Sequence, residues 1–406
     1  MLLKLQSKKA KPVNKPYYLL ILYVVFFTVG TKALADEFQV HGFIAQGVVQ
    51  NKGSNFVIED DELTFDLTEL GLNFSYQLSD SLRFAGQAVY LNGGNRFDEG
   101  LRVDYLLADW NFYNSEKNQS HLYIGRIKNY HWLYSSTRDV PMTRPSIILP
   151  QSVYFDGTRD MTVGGDGIAF SNKYASENIG EIDLTISSSK APIPTDDTRS
   201  IVDPKTKGRL KHDADLQASI YWRPVALPWR FGFALTDARF KYESALDDIY
   251  DNGEIDLQRF YLNAEYFGEK WSLSAELLQE KMALTGLLFP EFSRPTTGQG
   301  GYLQSEYKVT QDIQLLARYE RYFADKNDKS GNQLAASTFG AVPYYFGFQH
   351  DVTLGLTYHF DFNLKLQFEH HWVQGTARLT PLIIPDPTNN PQEHWQLTAL
   401  QLMYWF

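Results

Sequence analysis

Cysteine is absent from all 406 residues. No disulfide can form, and a structural zinc site loses its commonest ligand; the nine histidines do little to replace it. A long apolar run is missing too. Outside residues 17–29 no segment approaches the roughly 20 apolar residues that a membrane-spanning helix needs, so a helical membrane protein is excluded. Nor is there an excess of positive charge. The 38 Lys and Arg face 48 Asp and Glu, which argues against nucleic acid as a partner, since that binding works by neutralising phosphates. What the chain does have is aromatic residues: 25 Tyr, 27 Phe and 8 Trp, in a polypeptide whose mean hydropathy is only −0.34.

The first 35 residues read as an export signal. Lys4, Lys8, Lys9, Lys11 and Lys15 form a basic start with no acid among them, and residues 17–29 (YYLLILYVVFFTV) are an apolar run too short to span a bilayer. Ala33-Leu34-Ala35 is a small-x-small cleavage site ahead of Asp36. Cleavage after Ala35 removes six lysines, leaving 32 basic against 48 acidic residues, a formal charge of about −16. The expected domains are a signal peptide over 1–35 and one exported domain over 36–406.

Polar average and aromatic excess are reconciled by alternation, with apolar residues facing lipid and polar residues facing a wet lumen. Segments with period two lie near 38–50, 63–78, 82–91, 101–113, 121–128, 166–174, 181–189, 212–223, 229–242, 255–267, 271–283, 300–309, 312–323, 350–360, 363–374 and 394–406. Phe260, Leu262, Ala264 and Tyr266 against Arg259, Tyr261, Asn263 and Glu265 is one clear case. Short links near 79–81, 114–120, 175–180, 224–228, 268–270, 310–311 and 361–362 alternate with long polar stretches near 51–62, 92–100, 129–165, 190–211, 243–254, 284–299, 324–349 and 375–393. The fold class is therefore all-β: a transmembrane antiparallel barrel of about 16 strands, with short periplasmic turns and long extracellular loops. Aromatics flank the short turns, as at Trp222 with Trp229 and Phe267 with Trp271, where an interface would hold them. Two stretches, 40–50 and 395–400, switch parity and are expected to contain bulges.

The sequence ends with Leu400, Leu402, Tyr404 and Phe406 in one apolar stripe. With this ending, with "ELGLNFSYQLSDSLRFAGQAVY" (69–90) and with "LYIGRIKN" (122–129), the chain resembles the Gram-negative outer-membrane porins of the sixteen-strand type. General porins and substrate-selective ones, the phosphate-selective porins among them, share that frame. The resemblance implies a homotrimer in the outer membrane, touching lipid and lipopolysaccharide. It implies that Phe406, with Tyr404, is an assembly signal for the barrel assembly machinery. It implies diffusion of small hydrophilic solutes with no cofactor and no energy source, and a third loop folded into the lumen.

That loop falls at 129–165, the longest connection, and a segment of this length is either functional or disordered. Pro141, Pro145 and Pro150 stiffen it, and Ile147, Ile148 and Leu149 could pin it to the inner wall. Arg138, Asp139, Arg144, Asp156, Arg159 and Asp160 supply closely spaced charge of both signs. A cover over the mouth or a latch between subunits would use the same residues. By parity Arg83, Arg126, Arg259 and Arg318 face the lumen, with Glu265, Glu276, Glu306 and Glu369 on the same face. Opposed rows would set a transverse field, while either set could equally be lumenal salt bridges. The acidic run Glu59-Asp60-Asp61-Glu62 in the first loop either keeps a solvated surface or binds divalent cations together with lipopolysaccharide. Catalysis is disfavoured: no Ser has a Gly-x-Ser-x-Gly context, and His370 and His371 point to opposite faces of a strand. The expected function is a passive diffusion channel, with a substrate-selective porin or a non-conducting structural or adhesin barrel as alternatives.

Overall fold

Strands that alternate in polarity can satisfy every backbone group inside a membrane only if their pairing closes on itself. In a computed structural model, residues 37–59, 61–97, 99–203, 205–379 and 392–406 are described. The signal segment read at 1–35, and Asp60 of the acidic run, lie outside the described residues.

Sixteen strands form the wall: β1 (Phe38–Lys52), β2 (Thr68–Ser79), β3 (Leu82–Asn92), β4 (Gly100–Asn114), β5 (Asn118–Lys128), β6 (Gly164–Ser176), β7 (Gly180–Lys190), β8 (Arg209–Arg223), β9 (Trp229–Glu243), β10 (Gly253–Phe267), β11 (Trp271–Thr285), β12 (Ser293–Lys308), β13 (Ile313–Phe323), β14 (Phe348–Asp361), β15 (Leu364–Gly375) and β16 (His394–Trp405). Each pairs antiparallel with the next. β1 closes the ring by pairing with β16 from Phe43↔Trp405 to Lys52↔Gln396, and with β2 from Phe38↔Tyr76 to Gln46↔Thr68. The expected segments lie in these strands, overrunning an end by no more than a residue, with two larger adjustments. Residues 65–67 interrupt the segment expected at 63–78, leaving Leu63–Thr64 paired with Val49 and Gln50 beyond a local irregularity. The connection expected at 284–299 shrinks to 286–292, because β12 begins at Ser293.

The outward face is apolar and exposed, as at Leu72, Phe74, Leu262, Leu277, Leu303 and Leu354. Near the short turns it carries aromatic contacts such as Trp229 with Tyr266 and Trp271 with Tyr307, at centroid separations of 5.1 and 4.5 Å. The expected bulges in β1 and β16 are absent, since their register with each other and with β15 is unbroken. The parity switch has another cause. The inward face of this sector is itself apolar (Val49, Trp395, Leu397, Ala399) and is covered by residues of the first and third loops, Phe56, Val57, Ile147 and Ile148.

Candidate functional site

The connection from β5 to β6, residues 129–163 and here termed L3, does not leave the barrel. Its backbone donors and acceptors lie inside a wall and must find partners there. The wall supplies them from nearly all sides. At the neck, Asn129 donates to Thr162 O at 2.9 Å and to Gln217 of β8 at 2.7 Å. His131, fully buried, sits between Ser219 at 3.0 Å and Ser187 at 2.7 Å. Leu133 N donates to Glu276 of β11 at 3.2 Å, whose other oxygen accepts from the Tyr154 and Tyr302 hydroxyls. Ile147 N and Ile148 N both donate to Glu369 of β15, at 2.8 and 2.7 Å. Ser152 N donates to Glu320 of β13 at 2.7 Å. Cations cap the carbonyls: Arg318 reaches Ile148 O at 3.0 Å and Lys365 reaches Met142 O at 3.0 Å. Arg144 crosses to Glu69 of β2 at 2.6 Å. Because β2 and β11 are almost opposite in a sixteen-strand ring, L3 spans the lumen and divides it.

The apolar residues do what their type suggests. Ile147 and Ile148 pack in the β1–β16 sector. Leu149 instead joins Trp132, Tyr154, Tyr261, Leu278 and Tyr302 on the other side. Both attachments add buried apolar area to the polar ones.

The loop's own charges are buried and mutually compensated. Asp156 lies between Arg96 and Arg138, each at 2.7 Å. Asp139 pairs with Arg159, which also holds Asp160, and Asp160 meets Arg102 of β4 at 2.7 Å. Burial alone would raise the Asp139 and Asp156 carboxyls. Arg159 beside the first, and Arg96 with Arg138 beside the second, outweigh it, so both sit below the ordinary carboxylate range. Burial lowers His131 from 6.5 to about 4, so its imidazole is neutral between the two serines. From the last loop, Arg378 stacks over Tyr322 with its guanidinium 3.5 Å from the ring centroid, 4.9 Å from that of Phe155.

The residues expected on the wall divide into three groups. Glu276 and Arg318 hold L3 directly, and Arg259 touches Thr158 at 3.4 Å while paired with Glu280. Glu265, Glu306 and Arg83 face inward nearer the short turns. Glu265 pairs with Arg230, and Arg83 with Asp109 at 2.7 Å, away from L3. Arg126 does not face the lumen. It shares a face with Ile124 and pairs across to Asp166, which shares a face with Ile168; these isoleucines are 50% and 54% exposed on the outer surface. The inward positions there are Tyr123 and Gly125, one residue off the expected register. Among residues the sequence reading passed over, Glu320 lies on the same stripe as Arg318, and Lys365 on that of Glu369. Either could have been found by extending those stripes. Arg378 and Arg96 carry no such signal, because loop conformation places them.

Below L3, on the short-turn side, the lumen holds two chambers. One, of about 320 Å³, is lined by Tyr134, Glu265, Glu306, His359 and Lys365. The other, of about 380 Å³, is lined by Asn73, Arg83, Tyr105, Tyr123, Tyr130 and Lys173. Two histidine clusters have the look of catalytic arrangements. His131 meets two serines, and His371 meets Asp351 at 2.7 Å and Glu369 at 3.0 Å. Both rings are buried and line neither chamber; His131 ties L3 to β7 and β8, and His371 links Asp351 of β14 to Glu369.

No family model and no curated protein matches the sequence. Solved structures do match in shape. The outer-membrane channel DcaP of Acinetobacter baumannii is 14% identical, with a TM-score of 0.56 over 93% of this chain and 99% of that one. An anion-selective porin from Comamonas acidovorans is 12% identical, also at 0.56, over 91% and 99%. OmpT, an outer-membrane protein of Vibrio cholerae, is 11% identical at 0.56 over 92% and 99%. At such identities the likeness concerns architecture, and with the closed ring and alternating faces it leads to one statement: this chain has the sixteen-strand barrel fold of the outer-membrane porins.

Proposed function

We propose that the protein is a passive, non-enzymatic diffusion channel of the bacterial outer membrane for small hydrophilic solutes, exported with a signal peptide cleaved after Ala35. The observation that carries this is L3, which a purely structural barrel would not need. It is fastened across the lumen at Glu69, Glu276, Glu320 and Glu369, with two chambers beneath it. Solutes pass where L3 leaves the wall uncovered and are screened there by size, and the inward charges tune ion preference. The homotrimer, the contacts with lipid and lipopolysaccharide, and recognition of Phe406 and Tyr404 by the assembly machinery belong to the same reading. A solute-selective channel is the second reading, favoured by the attachment of L3 to strands on opposite sides of the ring. Proteoliposome swelling with neutral polyols of increasing size tests both. A rate that falls with size supports general diffusion, and one that singles out a solute supports selectivity. A folded, inserted barrel that swells no faster than empty liposomes contradicts both.

A further inference from the structure

We propose that the chamber walled by Tyr105, Tyr123 and Tyr130 is a subsite for a carbohydrate ring. The inference deepens the channel reading, since solute reaches this chamber only along the lumen. Three aromatic rings stand on inward positions where a water-filled barrel calls for polar side chains, one each from β4, β5 and the start of L3. The Tyr123 and Tyr130 rings meet at a centroid separation of 5.9 Å, and His121 stacks on Tyr123 at 5.8 Å with planes 12° apart. The rings thus continue from beneath L3 toward the short-turn mouth.

Arg83 on this wall is paired with Asp109, but several of the other polar groups around the rings lack protein partners. Among the described residues, none of the three tyrosine hydroxyls makes a hydrogen bond to the protein, and Lys173 makes no ion pair. The Asn73 Oδ1, which is buried, has no donor. The tyrosine hydroxyls, with no protein partner, are free to donate to or accept from a solute in the chamber. The chemistry that answers such a wall has apolar faces to lie on the rings and a rim of hydroxyls that both donate and accept. A pyranose has both. A simple ion has no use for the rings, and a purely apolar solute would leave the hydroxyls unmet. At about 380 Å³ the chamber is at the small end of ligand sites, the scale of one or two sugar rings. The neighbouring chamber, with Glu265, Glu306 and Lys365, offers carboxylates in place of the three-tyrosine wall and serves as the internal control.

The test uses residues 36–406 refolded in detergent, with maltose as probe, sorbitol at equal osmolality as the acyclic control, and KCl conductance recorded separately. Saturable binding of maltose by titration calorimetry is expected, with no such binding of sorbitol. Tyr123→Ala and Tyr130→Ala should each raise the half-saturating concentration at least fivefold, Tyr130→Phe about twofold, and Glu306→Gln should leave it unchanged. The phenylalanine variant keeps the ring and covers the case where an alanine variant does not fold. Indistinguishable behaviour of maltose and sorbitol, or wild-type saturation in the folded tyrosine variants, overturns the subsite. Tyrosine-dependent binding without KCl current keeps the subsite and removes the channel; current without binding does the reverse.

Discussion

The ring of Phe406 lies over Gly42, and the two residues exchange backbone hydrogen bonds of 3.1 and 3.0 Å. A Cβ on Gly42 would stand 2.6 Å from Phe406 Cζ, so only glycine lets the ring settle there. The contact lies on the outward face where β16 closes against β1. Gly42→Leu should therefore displace the ring and cost about 1–3 kcal/mol. The urea midpoint of the refolded barrel should fall, and Gly42→Ala should fall between the two. An unchanged midpoint for Gly42→Leu would show that closure does not depend on this seat.

Glu369 caps two successive amides of L3, Ile147 N and Ile148 N, and also accepts from His371 Nε2. Glu369→Ala leaves buried donors unmet, at about 1–3 kcal/mol each. Protease cleavage within L3 should accelerate at least tenfold, while the heat-modifiable barrel persists. Equal protection in wild type and variant would show that the apolar anchors Ile147 and Ile148 hold the loop unaided.

The wall was legible in the sequence because period two is enforced by lipid on one side. Phe260, Leu262 and Tyr266 could face nowhere else, and Arg259 and Glu265 followed by parity. The loop's length and its proline and mixed-charge content also pointed to L3. What parity could not show was where the loops come to rest. Trp395, Leu397 and Ala399 look misregistered only if the lumen is taken to be wet along its whole height, and the first and third loops make it dry there. Arg126 fell one residue off for the local reason that a single step inverts a strand's faces. The charges of L3 were recognised as a set, but their pairing with Arg96 and Arg102 depends on how L3 folds within the ring, which spacing along the chain does not encode.

Acid should release L3 in two stages. His131 is held neutral in the seated loop, at about 4 against 6.5 when free. The released loop therefore binds more protons between these values, and the seat weakens as pH falls from about 6.5 to 4, by roughly 3 kcal/mol in total. Asp139 and Asp156 are depressed in the seated state. Their contribution is present above the ordinary carboxylate range and is lost as pH falls through their lower seated values. Protease accessibility of L3 against pH should show both limbs, and His131→Gln should remove the upper one. A profile flat down to pH 4 in wild type would contradict this assignment.

The carboxylate of Glu306 accepts from Gln304 and Gln314 and has no cation partner among the described residues, in the chamber that also holds Lys365. Glu306→Gln should shift the reversal potential under a KCl gradient toward chloride by several millivolts, and Lys365→Gln toward potassium. Identical potentials for both variants would place the ion path away from this chamber.

The most direct measurement is single-channel KCl conductance of the refolded chain, 36–406, beside its Glu369→Ala and Arg318→Ala double variant. L3 seated across an open barrel should give discrete steps in wild type and steps at least twice as large, or noisier, once the loop is loosened. Both proteins folded and inserted in the bilayer, with neither passing current, would contradict the account of this barrel as a channel screened by L3.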